Sequence, residues 1–282
     1  MKNASEKESA ALVFLYRTVP GRILLKLLIG RRLSQAAGRF LSSPASVPLI
    51  EPFIRKNGID LADYETEHYS CFNDFFCRHI RPERRPLPAD PDALMAPCDG
   101  LLSAYRITDG TVVPIKQSRY TISELLGMDP VARKYRDGIC LVFRLCVDNY
   151  HRYCYLDDGQ KGANIFLPGM LHTVRPIALE SVPVFVRNCR EYTVMETEHF
   201  GTVTQVEVGA LLVGRIDNRH STGSIRRGEE KGRFLYGGST IVVLLEKDRA
   251  IVDKSYFDVT ANGTETPVLM GQVLGRAKMP NA

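Results

Sequence analysis

Residues 226–247 read RRGEEKGRFLYGGSTIVVLLEK, in which a Gly-Gly-Ser-Thr tetrapeptide at 237–240 runs directly into an apolar segment. That segment, 241–245, contains only Ile, Val and Leu and predicts a buried β-strand. A lone tetrapeptide of this kind is more often an ordinary strand start than a site. The glycine before the serine has one chemical advantage, because a residue without Cβ tolerates strained backbone and leaves its carbonyl open to attack.

Short apolar segments of the same kind recur on both sides of this stretch, separated by turns that contain Gly, Asn and Asp. Each predicts a strand, and they occupy residues 140–147, 182–186, 202–216 and 239–246. The pattern changes near residue 93. Before it, helical patterns dominate, and Asn57-Gly58 is a standard stop for a helix within 46–64. Helices at one end and strands at the other predict an α+β protein with a β-rich, mainly antiparallel core and N-terminal amphipathic helices.

We place a helical, membrane-facing segment at 1–64 and a β-rich domain at 65–282. Within the first segment, residues 11–41 predict two or three short helices with an apolar surface that includes Leu24 and Leu25. The stretch has no acidic residue and six basic ones, namely Arg17, Arg22, Lys26, Arg31, Arg32 and Arg39. Such helices suit an anionic membrane surface, where each basic residue contributes about 1 kcal/mol. The same pattern also fits helices packed on the core with solvated charges, and periodicity leaves both interpretations open.

Composition excludes several classes of protein. A chain of 282 residues, 44% hydrophobic and 24% charged, with no repeat, fits one main domain with an appendage. No run approaches the roughly 20 apolar residues of a membrane span, and we expect no secretory signal. The seven cysteines form no C-x-x-C pair, which indicates reduced thiols in a cytosolic setting rather than a metal or redox site. The net charge of +5 is modest, and no nucleic acid partner is expected.

Several blocks of the chain resemble, in order, those of the phosphatidylserine decarboxylase family. Taken singly, each has an ordinary explanation, such as an aromatic helix turn, an Asx turn, a satisfied core histidine or a buried strand. Their number and order carry the resemblance. The blocks are FNDFFCRHIRPERRPL (72–87), APCDG (96–100), NYHRYC (149–154), LPGMLHTV (167–174), NCRE (188–191), FGTVTQVEVGALLVGRI (200–216) and the stretch from Lys231-Gly232 through Thr240.

The resemblance implies that the chain cuts itself between Gly238 and Ser239. In the family, the serine hydroxyl attacks the preceding carbonyl to give an ester, β-elimination gives dehydroalanine, and hydrolysis leaves a pyruvoyl group. The products here would be chains 1–238 and 239–282, which should stay in one sheet because the break lies at a strand edge. The pyruvoyl group derived from Ser239 is the expected cofactor, with no metal.

The implied reaction converts phosphatidylserine to phosphatidylethanolamine and carbon dioxide, through a Schiff base between the substrate amine and the pyruvoyl carbonyl. A lipid substrate in an anionic leaflet implies a peripheral enzyme on the cytoplasmic face of the membrane, with residues 11–41 as the contact. Two alternatives stay open: a pyruvoyl-dependent decarboxylase of a soluble amino acid, and an unprocessed membrane-associated homologue without activity. Whether the protein forms a homodimer also stays open.

The catalytic group of the family contains a serine, a histidine and an aspartate, the histidine acting as base and the carboxylate orienting it. By position, Ser239 is the serine and Asp99 the aspartate. The family motif Y-H-R-x-H, however, reads YHRYC at 150–154, so Cys154 stands where the assigned histidine would be. The chain departs from the family pattern at its proton acceptor.

Three residues are candidates for that acceptor, in the order His151, His172 and Cys154. His151 and Cys154 would face one cavity if the backbone between them is a turn. A cysteine accepts a proton only as a thiolate with a lowered pKa, which ranks Cys154 last. His151 is also the candidate general acid that protonates the carbanion left after decarboxylation.

Overall fold

Helices fill the first part of the chain and strands most of the rest, as the sequence predicts. The computed structural model describes residues 10–28, 31–65, 68–108, 112–115, 118–170, 184–209, 216–219, 221–235 and 239–278. Short 3₁₀ segments lie at Pro44–Leu49, Leu61–Asp63, Pro82–Arg84 and Pro130–Tyr135. The α-helices are α1 (Ala10–Arg17), α2 (Val19–Leu28), α3 (Arg31–Leu41), α4 (Ile50–Asn57), α5 (Phe72–Phe76), α6 (Ile122–Leu125), α7 (Val184–Arg187) and α8 (Lys254–Ala261).

The described strands begin at residue 93, where the sequence pattern changes. They are β1 (Ala93–Met95), β2 (Gly100–Arg106), β3 (Val112–Ile115), β4 (Ser118–Thr121), β5 (Ile139–Leu145), β6 (Arg152–Cys154), β7 (Gly159–Leu167), β8 (Arg190–Thr197), β9 (Gly201–Val208), β10 (Ile216–Asn218), β11 (Gly223–Ile225), β12 (Glu230–Phe234), β13 (Ser239–Leu245), β14 (Ala250–Val252), β15 (Thr266–Val268) and β16 (Val273–Ala277).

An eight-stranded antiparallel sheet forms the centre of the molecule, in the order β11-β7-β8-β9-β13-β5-β2-β15. Its middle strand is β13, every residue of which is buried. β13 pairs with β5 along its whole length and with β9 from Thr240 to Leu245. The apolar run that follows the Gly-Gly-Ser-Thr tetrapeptide is therefore the core of the fold, and the predicted α+β class with a mainly antiparallel sheet is confirmed.

Three smaller antiparallel sheets accompany the large one among the described residues. Their strand orders are β10-β12-β6, β1-β16-β14 and β3-β4. The sheet β10-β12-β6 contacts one face of the large sheet through hydrogen bonds from Asn218 and Lys231 to Glu207 of β9. That face also contains Ile241, because Ile241 of β13 lies directly opposite Glu207 and paired residues point to the same side.

Two strand predictions need correction. Residues 182–186 predict a strand, but the described part forms the helix α7. The reason is tertiary, because the Arg190 guanidinium donates hydrogen bonds to the carbonyls of Val186 (2.7 Å) and Asn188 (3.2 Å) and so satisfies the end of a single helical turn. The run at 202–216 supplies two strands in two sheets, β9 and β10, rather than one.

The N-terminal helices partly pack on the core and partly expose apolar side chains. Leu15, Tyr16 and Leu25 belong to the main hydrophobic cluster. By contrast, the exposed fractions of Val19 and Ile23 are 64% and 62%. No helix in the described part of the chain is long and apolar enough to cross a membrane. One side of the helical segment therefore contacts the core, and another carries apolar side chains into solvent.

Candidate active site

The candidate site lies at one end of the large sheet, where β13 begins. Ser239 pairs with Leu145, the last residue of β5. Continuing the β2–β5 and β9–β13 registers by one residue places Gly100 beside Leu145 and Gly209 beside Ser239. Four strands therefore contribute one row of residues, namely Gly100, Leu145, Ser239 and Gly209. Gly209 adds no side-chain volume on one side of Ser239, whereas Leu145 lies on the other side.

Ser239 is fully buried, and its Oγ has no hydrogen-bond partner among the described residues. A buried hydroxyl without a partner typically costs about 1–3 kcal/mol, so its persistence calls for an explanation. Its neighbour Gly238, the other predicted cleavage residue, lies outside the described residues. The structure therefore presents a buried hydroxyl, without a partner among the described residues, at the start of the central strand.

His151 lies immediately before β6 and is also fully buried. Its ring contacts Phe76, with centroids 4.0 Å apart, and its Nδ1 lies 2.9 Å from the Asn149 carbonyl oxygen. That contact requires a hydrogen on Nδ1, which leaves Nε2 as an acceptor, and Nε2 has no partner in the described part of the chain. Burial lowers the pKa of His151 to about 3. The ring is neutral and offers a bare acceptor nitrogen.

The side chains of Cys154 and His151 do not face the same cavity. Residues 152–154 form the strand β6 rather than a turn, and alternation points the side chains of residues 151 and 154 to opposite sides. The Cys154 Sγ lies 3.5 Å from the Pro97 carbonyl oxygen, and burial raises the pKa of the thiol to about 12. Cys154 is thus a neutral, buried thiol. A cysteine accepts a proton only as a thiolate with a lowered pKa, whereas the pKa of Cys154 is raised.

Asp99 is held by an arginine rather than by His151. Arg85 donates to both carboxylate oxygens, from Nε to Oδ1 at 2.8 Å and from Nη2 to Oδ2 at 2.5 Å. The Met270 backbone N–H also donates to Oδ1, at 2.8 Å. Gly100, the residue after Asp99, lies in the same row as Ser239. The two residues are two strand spacings apart, about 10 Å. No hydrogen bond among the described residues joins Asp99, His151 and Ser239, so this part of the structure does not assemble them into a triad.

The third predicted acceptor, His172, lies outside the described residues. The part of its block that is described does reach the site. The Met170 backbone N–H donates to the Arg187 carbonyl (2.8 Å), and the Cys189 N–H donates to the Met170 carbonyl (2.9 Å). The Asn188 amide donates to the carbonyl of Gly209, at 2.7 Å. Met170 of the block at 167–174 and Cys189 of the block at 188–191 therefore lie beside Gly209, at the edge of the row that contains Ser239.

Sequence reasoning missed a buried polar cluster, which we call the Lys231–Glu207 network. The Lys231 Nζ donates to Glu207 Oε1 at 2.8 Å, and both side chains are fully buried. The Asn218 amide nitrogen donates to Glu207 Oε2 (2.9 Å) and to Glu191 Oε1 (2.8 Å), while its oxygen accepts from the Tyr153 hydroxyl at 3.0 Å. The available signal was a glutamate inside the otherwise apolar run VEVG, where a charged residue needs a buried partner.

Comparison with known proteins gives a consistent match over most of the chain. A model of the family described as phosphatidylserine decarboxylase matches residues 72–276. Phosphatidylserine decarboxylase proenzyme 2 of Clostridium acetobutylicum is 43% identical over 269 residues, which cover 95% of this chain and 92% of that protein. The phosphatidylserine decarboxylase proenzyme of Clostridium novyi is 37% identical over 270 residues, which cover 94% of this chain and 92% of that protein.

Proposed function

The chain belongs to the phosphatidylserine decarboxylase family, and from this membership we propose that it is a self-cleaving enzyme that removes the carboxylate of phosphatidylserine as carbon dioxide. The observation that carries the proposal is Ser239, a fully buried hydroxyl at the head of the central strand, within the family's cleavage tetrapeptide. Its Oγ has no hydrogen-bond partner among the described residues. The curated relatives are named proenzymes, which supports processing of this chain into two parts.

The surroundings of Ser239 fit a pyruvoyl group derived from that residue. Conversion removes a hydroxyl that has no hydrogen-bond partner among the described residues, and the adjacent Gly209 leaves space on one side of the new ketone. The group would supply a carbonyl that condenses with the substrate amine and accepts the electron pair released with carbon dioxide.

In the first step of cleavage, Ser239 Oγ attacks the carbonyl of the preceding glycine. We propose that His151 Nε2 accepts the hydroxyl proton. Support comes from the neutral ring and from the lone pair of Nε2, which has no partner among the described residues. Asp99, which the resemblance assigns as the orienting carboxylate, is held by Arg85 at the start of β2, beside the row that contains Ser239, while the Asn149 carbonyl binds the His151 ring. After decarboxylation, His151 is the proposed source of the proton for the carbanion, once its neutral ring has taken up a proton on Nε2.

The two chains of the cleaved protein should stay associated. Residues 239–278 provide β13, which lies between β9 and β5, and also β15 and β16, which pair with β2 and β1. Cutting the chain before β13 removes one peptide bond but none of these ladders. The small chain is therefore held by strand pairing in the middle and at the edge of the large sheet.

We further propose that the protein binds the cytoplasmic face of an anionic membrane through its N-terminal helices. Support comes from α1 and α2, where Phe14, Val19, Ile23 and Leu24 are all more than 40% exposed, the exposed fractions being 42%, 64%, 62% and 44%. The exposed Arg17 lies beside them. Apolar side chains next to basic ones suit the boundary between headgroups and acyl chains.

Binding to anionic vesicles should weaken as salt rises, because the screening length falls from about 10 Å at 0.1 M to about 3 Å at 1 M. Ile23→Ser, and neutralisation of Arg31 and Arg32 together, should each lower binding in a vesicle-pelleting assay without affecting chain cleavage. Ile251→Ser is the matched control, since Ile251 is 46% exposed on β14. If neither salt nor any of these substitutions changes vesicle binding, the helices serve core packing alone.

A substrate comparison tests the proposed reaction directly. Vesicles that contain phosphatidylserine should release carbon dioxide and gain phosphatidylethanolamine, whereas free serine and other soluble amino acids should be turned over far more slowly. Lipid analysis and carbon dioxide release measure both, with a Ser239→Ala variant as the blank. Equal turnover of a soluble amino acid would favour the soluble-substrate alternative, and an intact, inactive chain would favour the unprocessed homologue.

A further inference from the structure

The Lys231–Glu207 network lies on the same face of the large sheet as Ser239. Glu207 is directly opposite Ile241, and Ile241 is two residues from Ser239, so all three side chains share that face. Ser239 and Glu207 are diagonal neighbours on adjacent strands, a relation that spans about 7–8 Å and is within reach of a long side chain. The described neighbours of Ser239 on this face are Leu145, Phe143, Gly209 and Glu207. Glu207 is the one titratable group among those four.

Backbone geometry points the Cα–H of Ser239 toward the strand that contains Glu207. The Gly209 backbone N–H donates to the Cys189 carbonyl at 2.9 Å, and the Gly209 carbonyl accepts from Asn188 at 2.7 Å. Both polar groups of Gly209 thus face β8, which makes Ser239 and Gly209 a non-hydrogen-bonded pair. In such a pair the Cα atoms are about 4.5 Å apart and their Cα–H groups face each other. Gly209 has no side chain, so the approach to the Ser239 Cα–H is open on that side.

Self-cleavage needs a second proton transfer for which the assignments above provide no acceptor. Resting on the proposed function, we propose that Glu207 accepts the Cα proton of Ser239 in the elimination step, while Lys231 and Asn218 hold its carboxylate in place. His151 then serves the first transfer, from the hydroxyl, and Glu207 serves the second. Two transfers from different atoms of one residue are thereby assigned to two different groups.

The elimination balances without any further reactant. Glu207 takes the proton, the Cα–H electron pair becomes the Cα=Cβ double bond of dehydroalanine, and the Cβ–O ester bond breaks. The preceding glycine leaves as a carboxylate. Both oxygens of Glu207 already accept one hydrogen bond, from Lys231 and from Asn218, but a carboxylate has about four acceptor positions and so retains capacity for a proton.

The charges around Glu207 suit an acceptor that must be ionised first and protonated later. Burial raises the pKa of Glu207, the Lys231 ammonium opposes that rise, and the nearby Glu191 adds to it. Lys161 lies in the same region, donating to the Arg219 carbonyl at 2.7 Å, and its own pKa is lowered by burial and by Lys231. The paired ammonium favours the carboxylate, while desolvation and the second glutamate make it a stronger base than an exposed one.

Trapping of the ester intermediate tests this assignment. The variant Glu207→Gln/Lys231→Met removes both members of the ion pair, so no uncompensated charge stays buried. It should form the ester but eliminate slowly, with the pyruvoyl-blocked 239–282 fragment appearing about 10²-fold or more below the parent rate. Hydroxylamine should then split the ester and release a 239–282 fragment that begins with a free serine. Cell-free synthesis followed by intact-mass analysis measures both fragments.

Two further variants separate a chemical role from a structural one. Glu191→Gln alters a carboxylate that binds the same Asn218 but lies one strand farther from Ser239, and it should slow cleavage far less than the loss of Glu207 does. Glu207→Asp keeps the charge opposite Lys231 and shortens the side chain by one methylene. It should also accumulate the hydroxylamine-labile ester, and it preserves the test if the double variant does not fold.

Three outcomes would overturn the inference: parent-rate formation of the pyruvoyl fragment without Glu207, no serine-terminated fragment from a slow variant after hydroxylamine, or an equal loss in Glu191→Gln. The second outcome would mean that the reaction stops before the ester forms. If the parent itself is never cleaved, the proposed function fails, and this inference with it. That result is visible in the parent alone, whereas the other three require a parent that cleaves.

Discussion

Replacing Ser239 with alanine should leave one intact chain of 282 residues that releases no carbon dioxide from phosphatidylserine. Without the hydroxyl, nothing attacks the preceding carbonyl, and no ketone can form at residue 239. The parent should instead consist of chains 1–238 and 239–282, the second blocked by a pyruvoyl group at its N-terminus. Intact-mass analysis separates these species, and denaturing electrophoresis shows one band or two. Both chains of the parent should elute together under native conditions.

Thr240→Val is the matched control for this experiment. Thr240 is also fully buried, and its Oγ1, like Ser239 Oγ, has no hydrogen-bond partner among the described residues. Because successive residues of a strand alternate, its side chain points to the opposite face of the large sheet. Removing that hydroxyl should leave cleavage intact. A cleaved Ser239→Ala chain, or a parent that stays whole after long incubation, would contradict the proposed processing.

Local sequence signals predicted the centre of the fold well. The run after Ser239 contains only β-branched and aliphatic residues, and it became the middle strand because such residues suit a position buried on both faces. The Asn57-Gly58 stop was equally clear, since Gly58 adopts a left-handed conformation with φ of 64° at the end of α4. Predictions of this kind succeed because the cause lies within a few residues of the effect.

The parts of the site that sequence reasoning missed depend on distant partners. Asp99 faces Arg85, 14 positions away, and Glu207 faces Lys231, 24 positions away. Neither pairing leaves a periodic trace in the sequence. The conformation around Cys154 is equally hard to predict from local sequence. β6 is a strand of only three residues that exists through pairing with β12. Without that pairing, no local signal decides whether residues 151 and 154 share a side.

His151→Ala should slow chain cleavage by about 10²- to 10⁴-fold, the usual cost of losing a positioned base. The unpartnered Nε2 and the neutral ring make this side chain the strongest acceptor candidate among the described residues. Cleavage is followed by gel over hours, with His199→Ala as the control. His199 pairs with Asp157 in the turn between β8 and β9, at the end of the sheet away from Ser239, so its loss should not affect the rate.

Cys154→Ala should cleave at nearly the parent rate, although Cys154 occupies the position of the family histidine. Its thiol is neutral and buried, so its removal should cost about 1 kcal/mol of unfolding free energy, as for Cys140→Ala in β5.

Asp99→Ala should resemble His151→Ala if the carboxylate orients that ring, and His172→Ala should impair decarboxylation more than cleavage if it serves the substrate. Normal cleavage in His151→Ala with failure in Cys154→Ala would make a thiolate the acceptor, and failure in His172→Ala alone would move the base to the block at 167–174.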